Sequence, residues 1–227
     1  MPLQFELCPG RMIGGSDPCF IIAEIGQNHQ GDIEIAKKMI KMAKDCGADG
    51  AKFQKSELEY KFSKRALERP YNSKHSWGKT YGDHKRHLEF SHDQYRELKK
   101  YAEDIGIFLT ASGMDEMAVE FLHELDVPFF KVASCDANNF PYLEKTARKG
   151  TGLCCITPKQ HSCLNYEFKL YNNTNVERAY FCGADDVMHE NPKGIPPEHM
   201  QQLVGKKIKV DVEEDDSILA YGKLNVG

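Results

Sequence analysis

The chain has 227 residues, with 30 Lys and Arg against 34 Asp and Glu and 41% hydrophobic residues. This length and polarity exclude a disulfide-dependent mini-protein and a disordered chain, and no apolar run approaches the roughly 20 residues of a membrane span. The formal net charge of −4 gives no overall attraction to nucleic acid or anionic lipid, so an anion must be bound by a local group of cations.

The amino-terminal residues 1–15 lack the basic and apolar regions of a secretory signal. The eight cysteines are irregularly spaced and contain no C-x-x-C pair, which is typical of buried or free thiols in a reducing compartment rather than of a zinc site. We therefore expect a cytoplasmic protein with reduced cysteines.

The first predicted units alternate a short apolar strand with an amphipathic helix. Residues 20–25 predict a buried strand, and Asp32 is the expected N-cap of a helix that ends at Gly47. Residues 50–54 predict the second strand. Residues 60–87 follow it as a long polar loop.

The same alternation continues towards residue 157. Ser91 and Gln94 form an expected capping box, which begins the next helix. The remaining predicted elements are a strand at 107–111, a helix at 118–125, a strand at 128–132, a helix with Pro141 in its first turn, and a strand at 152–157.

Apolar strands that are each followed by a helix favour a parallel sheet covered by helices, and its closed form is the (β/α)8 barrel. We therefore predict an α/β chain whose residues 1–157 form the amino-terminal part of such a barrel. Residues 158–187 show no convincing period and stay an unassigned connector. Residues 188–227 predict a separate, more acidic piece with a turn and a strand.

Polar side chains lie at the carboxyl ends of the predicted strands, where β/α proteins carry their catalytic groups. Lys52 and Lys131 are lysines inside otherwise apolar strands, and a buried ammonium is costly unless an anion neutralises it. The full set of candidates is Glu24, Lys52, Gln54, Thr110, Ser112, Lys131, Ser134 and Asp136.

The loop at residues 60–87 adds to this positive charge. It contains eight Lys and Arg and three His but only two acidic residues, a local charge of about +6. Because it follows the second strand, we expect it to lie over the same edge of the sheet as Lys52 and Lys131. A basic surface loop that compensates acidic neighbours is the alternative.

Other interpretations stay open for single residues. Glu24 could simply pair with Lys52, Thr110 and Ser112 could bond backbone groups at a strand end, and His29 is more often a hydrogen-bonded loop histidine than a ligand. The sequence contains neither a G-x-G-x-x-G nor a P-loop pattern, which disfavours a dinucleotide-binding or P-loop enzyme.

Three segments resemble successive strand motifs of the sialic acid synthase family. They are FIIAEIGQNHQGD at residues 20–32, AKFQ at 51–54 and FKVASCDANN at 130–139, and the resemblance is nearly continuous over residues 1–150. Residues 191–217, with GIPPE at 194–198 and LVGKK at 203–207, resemble part of the carboxyl-terminal antifreeze-like (SAF, β-clip) domain of that family.

The resemblance implies a phosphoenolpyruvate-dependent synthase that condenses phosphoenolpyruvate with N-acetylmannosamine 6-phosphate through C–O cleavage. It implies that Lys52, Thr110, Lys131 and Ser134, with Ser112 beside them, hold phosphoenolpyruvate. It implies that Glu24, Gln54 and Asp136 act on the sugar or the attacking water, with Glu24 and Asp136 as the catalytic pair. A divalent metal, Mg or Mn, and a homodimer are further implications.

The sequence also departs from the family pattern. Ala133 and Cys135 stand where the family has glycines, and His161 and His189 do not lie in the family's metal-binding motifs. We interpret the chain as internally deleted between about 150 and 191. The alternatives to an active synthase are a non-catalytic isoform or binding fragment, which would pair with the full-length enzyme, and an antifreeze-related derivative.

Overall fold

The computed structural model describes residues 4–136 and 139–149, and beyond them the backbone of six strands. The strands are β1 Gln4–Cys8, β2 Arg11–Gly14, β3 Ile22–Gly26, β4 Gly50–Lys55, β5 Phe108–Gly113, β6 Phe129–Val132, β7 Gly152–Pro158, β8 Lys169–Tyr171, β9 Val176–Arg178, β10 Tyr180–Ala184, β11 Lys207–Ile208 and β12 Leu224–Asn225. The helices are α1 Ile33–Asp45, α2 Leu58–Lys61, α3 Lys64–Glu68, α4 Tyr81–Leu88, α5 His92–Asp104, α6 Glu116–Glu124 and α7 Phe140–Ala147.

Six of the strands form one parallel sheet in the order β10-β7-β6-β5-β4-β3. Neighbours in the sheet from β3 to β7 are also successive along the chain, which is the arrangement of repeated βα units wound in one direction. The prediction of an α/β chain with a parallel sheet is therefore confirmed. Among the described strands the sheet is open, with β3 and β10 at its edges.

Local capping fixes where the main helices begin. The Asp32 carboxylate accepts from the backbone N–H groups of Glu34 at 2.8 Å and Ile35 at 3.0 Å, as expected for an N-cap. Ser91 and Gln94 form the expected capping box at the start of α5. Pro141 lies in the first turn of α7, where its missing N–H costs no hydrogen bond.

One face of the sheet packs against the helices and forms the main core. Alternate residues of β3, β4, β5 and β6 face this way, among them Phe53 of β4, which is fully buried. The cluster also includes Ile25, Ala51, Leu109, Ala111, Phe130 and Val132 from the strands and Ile40, Tyr95, Leu98, Phe121 and Leu122 from the helices. Because strand side chains alternate, the intervening residues must face the opposite side.

The amino end of that opposite face is closed by a β-hairpin that the sequence analysis did not predict. Strands β1 and β2 pair antiparallel, and Leu7 and Cys8 pack against Phe129 of β6. Phe20 adds to this cluster, with its ring perpendicular to that of Phe129 at a centroid distance of 5.7 Å. This apolar cluster covers the amino end of the face, so the polar side chains lie at its carboxyl end.

Residues 60–87 are not a plain loop. They contain α3, most of α4 and the end of α2, and a β-bridge between Pro70 and Thr80 joins the chain segments that follow α3 and precede α4. Thr80 and Asp83 form a capping box that begins α4. These short helices were not predicted because few of their residues are apolar, so they show no hydrophobic periodicity.

The unassigned connector contains backbone strands β8 and β9, which pair antiparallel, and β10, which joins the parallel sheet beside β7. No described helix is long and apolar enough to cross a membrane.

Candidate active site

Strand register brings the predicted site residues onto one face of the sheet. Glu24 of β3 pairs with Lys52 of β4, which pairs with Thr110 of β5. One step nearer the carboxyl end, Gln54 pairs with Ser112, which pairs with Lys131 of β6. Register partners in a parallel sheet point the same way, so these six side chains form two adjacent rows.

Both rows lie on the face opposite the helices. Lys52 and Lys131 are separated by two strand spacings, about 10 Å, and by one two-residue step along the strand, about 7 Å. Lysine side chains are long enough to approach a common ligand from such positions. Lys52 and Lys131 therefore face the same side of the sheet.

Lys52 is buried, with 4% of its surface exposed, and its ammonium forms an ion pair with the Glu24 carboxylate. The Glu24 side chain is 52% exposed, so this pair lies at the boundary between the sheet interior and solvent. A half-exposed carboxylate is not sealed against its lysine, because water or a second anion can still reach the pair.

Gly26 leaves room for two of the candidate side chains to meet. It has a φ of +57°, and a Cβ built on it would lie 3.3 Å from Glu24 Oε1 and 3.7 Å from Gln54 Nε2. The carboxylate of Glu24 and the amide of Gln54 therefore lie over the same glycine. A side chain there would be strained by its backbone and would crowd the Glu24 carboxylate.

Thr110 and Ser112 are both buried. The Thr110 hydroxyl donates to the backbone carbonyl of Phe129 at 2.7 Å, which is the backbone-bonding alternative raised for this residue. Its hydroxyl oxygen can still accept a hydrogen bond. A role for Thr110 and Ser112 in substrate binding stays a prediction.

Ser134 and Asp136 lie in a 3-10 turn directly after β6. Both side chains are half-buried, and the exposed Cys135 between them lies with its Sγ 3.4 Å from Asp136 Oδ2. Asp136 is also one of the carboxylates whose charge acts on Lys61 of α2. The turn therefore faces the helices of the basic segment.

Two lysines that the sequence analysis did not single out lie over this edge. Lys61 ends α2, and Lys85 lies in α4 with its Nζ 3.2 Å from Gln27 Oε1, in the loop after β3. Burial lowers the pKa of both ammonium groups. The basic segment thus lies over the strand ends, as predicted. Which of its cations point inward depends on how its helices pack.

A third unpredicted lysine, Lys55, is also buried but faces the helices. Its ammonium lies 3.0 Å from carboxylate oxygens of both Glu57 and Glu89. Burial raises the pKa of Glu89, against the opposing effect of Lys55. Lys55 is one residue beyond Gln54, so the alternation of the strand could have indicated that it points away from the site.

His29 is a structural residue, as the simpler interpretation held. It is 1% exposed, stacks on Phe90 at a centroid distance of 4.1 Å, and its Nδ1 accepts from the backbone N–H of Gly31 at 3.1 Å. Burial lowers its pKa to about 4, so it is neutral near pH 7 and holds the turn after β3.

The residues described by the structure do not fit the divalent metal that the resemblance implies. Within residues 4–136 and 139–149 no group of three His, Cys, Asp or Glu side chains could hold a metal ion. His161 and His189 lie outside the described residues.

A parallel β/α sheet with lysines and hydrogen-bond acceptors on one face is typical of β/α proteins whose site lies at the carboxyl edge of the sheet. The chain belongs to the NeuB family, whose profile matches residues 39–159, more than half of the sequence.

Curated relatives support this assignment. The N-acetylneuraminate-9-phosphate synthase of Homo sapiens is 81% identical over 150 residues, which are 66% of this chain and 42% of the relative. The synthase of the same name from Drosophila melanogaster is 51% identical over 155 residues, 68% of this chain and 41% of the relative. The chain thus spans about two fifths of the length of these relatives.

Solved structures of related proteins have a similar fold. The N-acetylneuraminic acid synthetase of Leptospira borgpetersenii superposes with a TM-score of 0.60 at 28% identity and covers 72% of this chain and 52% of that one. The Bacillus subtilis spore coat polysaccharide biosynthesis protein superposes with a TM-score of 0.53 at 25% identity and covers 69% and 40% of the two chains.

Proposed function

We propose that this chain carries the phosphoenolpyruvate half of a sialic acid synthase site. The reaction condenses phosphoenolpyruvate with N-acetylmannosamine 6-phosphate to give N-acetylneuraminate 9-phosphate and inorganic phosphate. The observation that carries the proposal is the shared face of Lys52 and Lys131, with Glu24, Gln54, Thr110 and Ser112 in register around them.

The lysines neutralise phosphoenolpyruvate. Lys52 and Lys131 bind its phosphate and carboxylate, and the hydroxyl groups of Thr110, Ser112 and Ser134 add hydrogen bonds. Lys52 is already paired with Glu24. When phosphoenolpyruvate binds, the ammonium is shared between two anions, which leaves the exposed carboxylate of Glu24 available to a water or a sugar hydroxyl.

The carboxylates serve the second half of the chemistry. A C–C bond forms between the methylene carbon of phosphoenolpyruvate and the aldehyde carbon of the sugar, whose oxygen gains a proton. Water adds to C2 of the former phosphoenolpyruvate, its proton goes to a carboxylate, and the C–O bond to phosphate breaks. Glu24 and Asp136 are the proposed proton acceptors or donors, and Gln54 orients the attacking group beside Glu24.

The other parts of the proposal lie outside the described site. We assign residues 1–157 to a partial barrel domain, 158–187 to a connector and 188–227 to a partial SAF, antifreeze-like domain. The proposed setting is the cytoplasm, and the proposed assembly is the family's homodimer or a pairing with a full-length synthase. No step is assigned to Mg or Mn, because the described residues supply no such site.

The test is a phosphate-release assay on the purified, folded chain. We expect inorganic phosphate to appear only when phosphoenolpyruvate and N-acetylmannosamine 6-phosphate are both present, in a buffer that contains Mg²⁺ or Mn²⁺, since the C–O bond breaks only after the sugar has reacted. Omission of the sugar phosphate is the control.

Phosphate release at the background level from a folded sample contradicts the catalytic proposal for this chain. Restoration of release by added full-length synthase carrying an inactivating substitution would then identify the chain as a complementing subunit.

A further inference from the structure

Two cations of the basic segment, residues 60–87, differ from the other six in their burial. Lys61 and Lys85 are half-buried, whereas the rest are exposed. The exposed cations are Lys64, Arg65, Arg69, Lys74, Lys79 and Arg86. Burial of a charged group is unfavourable without compensation, so these two positions need a physical reason.

Neither of the two forms an ion pair within residues 4–136 and 139–149, although exposed cations of the same segment do. Arg86 lies 2.8 Å from a carboxylate oxygen of Glu59. The Lys85 ammonium instead donates a hydrogen bond to the neutral amide of Gln27, at 3.2 Å. The two less favourably solvated cations thus have no close carboxylate among the described side chains, whereas the exposed Arg86 has one.

The helices that carry the two lysines, α2 and α4, pack against each other. The charge of Lys61 lowers the pKa of Lys85, in addition to the effect of burial. Carboxylates of Glu89, Asp115 and Asp136 face Lys61 and raise its pKa, against the effect of burial. Each of them lies beyond ion-pair distance. Two half-buried like charges over the strand ends form an arrangement that a bound anion would stabilise.

We propose that Lys61 and Lys85 bind the phosphate group of the sugar substrate, with Gln27 beside them. This rests on the proposed function, because it assigns the second of the two anionic substrates to its own pair of cations. A phosphate monoester carries close to two negative charges at pH 7, which matches two ammonium groups. Lys52 and Lys131 lie on the sheet face, where the proposed function assigns them to phosphoenolpyruvate.

Glu89 supports a ligand that carries hydroxyl groups as well as phosphate. Its Oε2 is buried and has no hydrogen-bond partner in the described part of the chain, while its Oε1 accepts from Lys55. The Glu89 charge acts on both Lys61 and Lys85, so the side chain faces the same space. A sugar hydroxyl would supply the donor that this oxygen lacks.

The test is calorimetric titration of the whole chain with N-acetylmannosamine 6-phosphate, in parallel with unphosphorylated N-acetylmannosamine and inorganic phosphate. We expect Lys61→Met and Lys85→Met each to weaken binding of the sugar phosphate by about tenfold or more, the loss expected for one charge-assisted contact. Lys64→Met, which removes an exposed lysine of the same segment, should leave the affinity within about twofold.

Thermal unfolding provides a second readout. Removal of a half-buried charge should leave the melting temperature of the Met variants equal to or above that of the wild type, and inorganic phosphate should raise the wild-type melting temperature more than theirs. If a Met variant fails to fold, the glutamine variant of the same position, Lys61→Gln or Lys85→Gln, replaces it.

Titration with phosphoenolpyruvate separates this inference from the proposed function. Wild-type affinity for the sugar phosphate in both lysine variants, or no sugar phosphate binding by the wild type, overturns the inference, even where phosphoenolpyruvate still binds. Lysine-dependent sugar phosphate binding without phosphoenolpyruvate binding supports the inference and contradicts the proposed function.

Discussion

Replacement of Lys55 by methionine is expected to destabilise the fold by about 3–5 kcal/mol, whereas the same replacement at Lys52 should change stability by about 1 kcal/mol or less. Lys55 neutralises Glu57 and Glu89 at 3.0 Å each, and Glu89 is too buried to regain water when the ammonium is removed. Lys52 is paired with Glu24, which is half exposed and can be solvated instead. Urea unfolding monitored by circular dichroism measures both.

The two variants control for each other. Both positions are buried lysines of the same strand, but they face opposite sides of the sheet. Equal losses of stability in the two variants would contradict the assignment of Lys55 to the fold and of Lys52 to the site.

Gly31→Ala is expected to lower the free energy of unfolding by about 3 kcal/mol or more. Gly31 has a φ of +82°, and an added Cβ would lie 2.2 Å from the backbone oxygen of His87. That oxygen belongs to the end of α4, so the backbone of the turn after β3 must move away from the helix that carries Lys85. Urea unfolding again gives the value.

Gly10→Ala is the matched control for the backbone conformation. Gly10 has a φ of +75°, but an added Cβ would meet nothing within 4 Å. Only the cost of the left-handed conformation applies there, about 1–2 kcal/mol. If both variants lose the same stability, close packing between the turn and α4 does not contribute.

The strand and helix order was predictable because its determinants are local. Asp32, Ser91 and Pro141 mark helix starts through hydrogen bonds or ring geometry that involve only nearby residues. The apolar strands are recognisable from composition alone. Strand bounds shifted by one or two residues, as for β3, which begins at Ile22 rather than at residue 20.

The hairpin of β1 and β2 and the helices within residues 60–87 were not predicted. The hairpin is stabilised by contact with Phe129, which is more than a hundred residues away, and no local pattern records that contact. The helix α4 is mostly polar and depends on the capping box at Thr80 and on contact with Gly31.

The candidate site was predictable from charge within apolar strands, but the burial of the other lysines was not. Lys52 and Lys131 were identified because an ammonium in an apolar run is conspicuous. Lys55 lies at the polar end of its strand, so nothing in composition marks it as buried. Lys61 and Lys85 belong to a segment of eight cations, and only the packing of α2 and α4 distinguishes them from the exposed ones.

In the proposed site, lysines from two different strands hold one phosphoenolpyruvate molecule. Calorimetric titration of the whole chain with phosphoenolpyruvate, alongside Lys131→Met, tests this arrangement. We expect one binding site per chain, with an affinity that falls by about tenfold or more when the Lys131 ammonium is removed. Unchanged affinity in the folded variant, or no binding by the wild type, would contradict it.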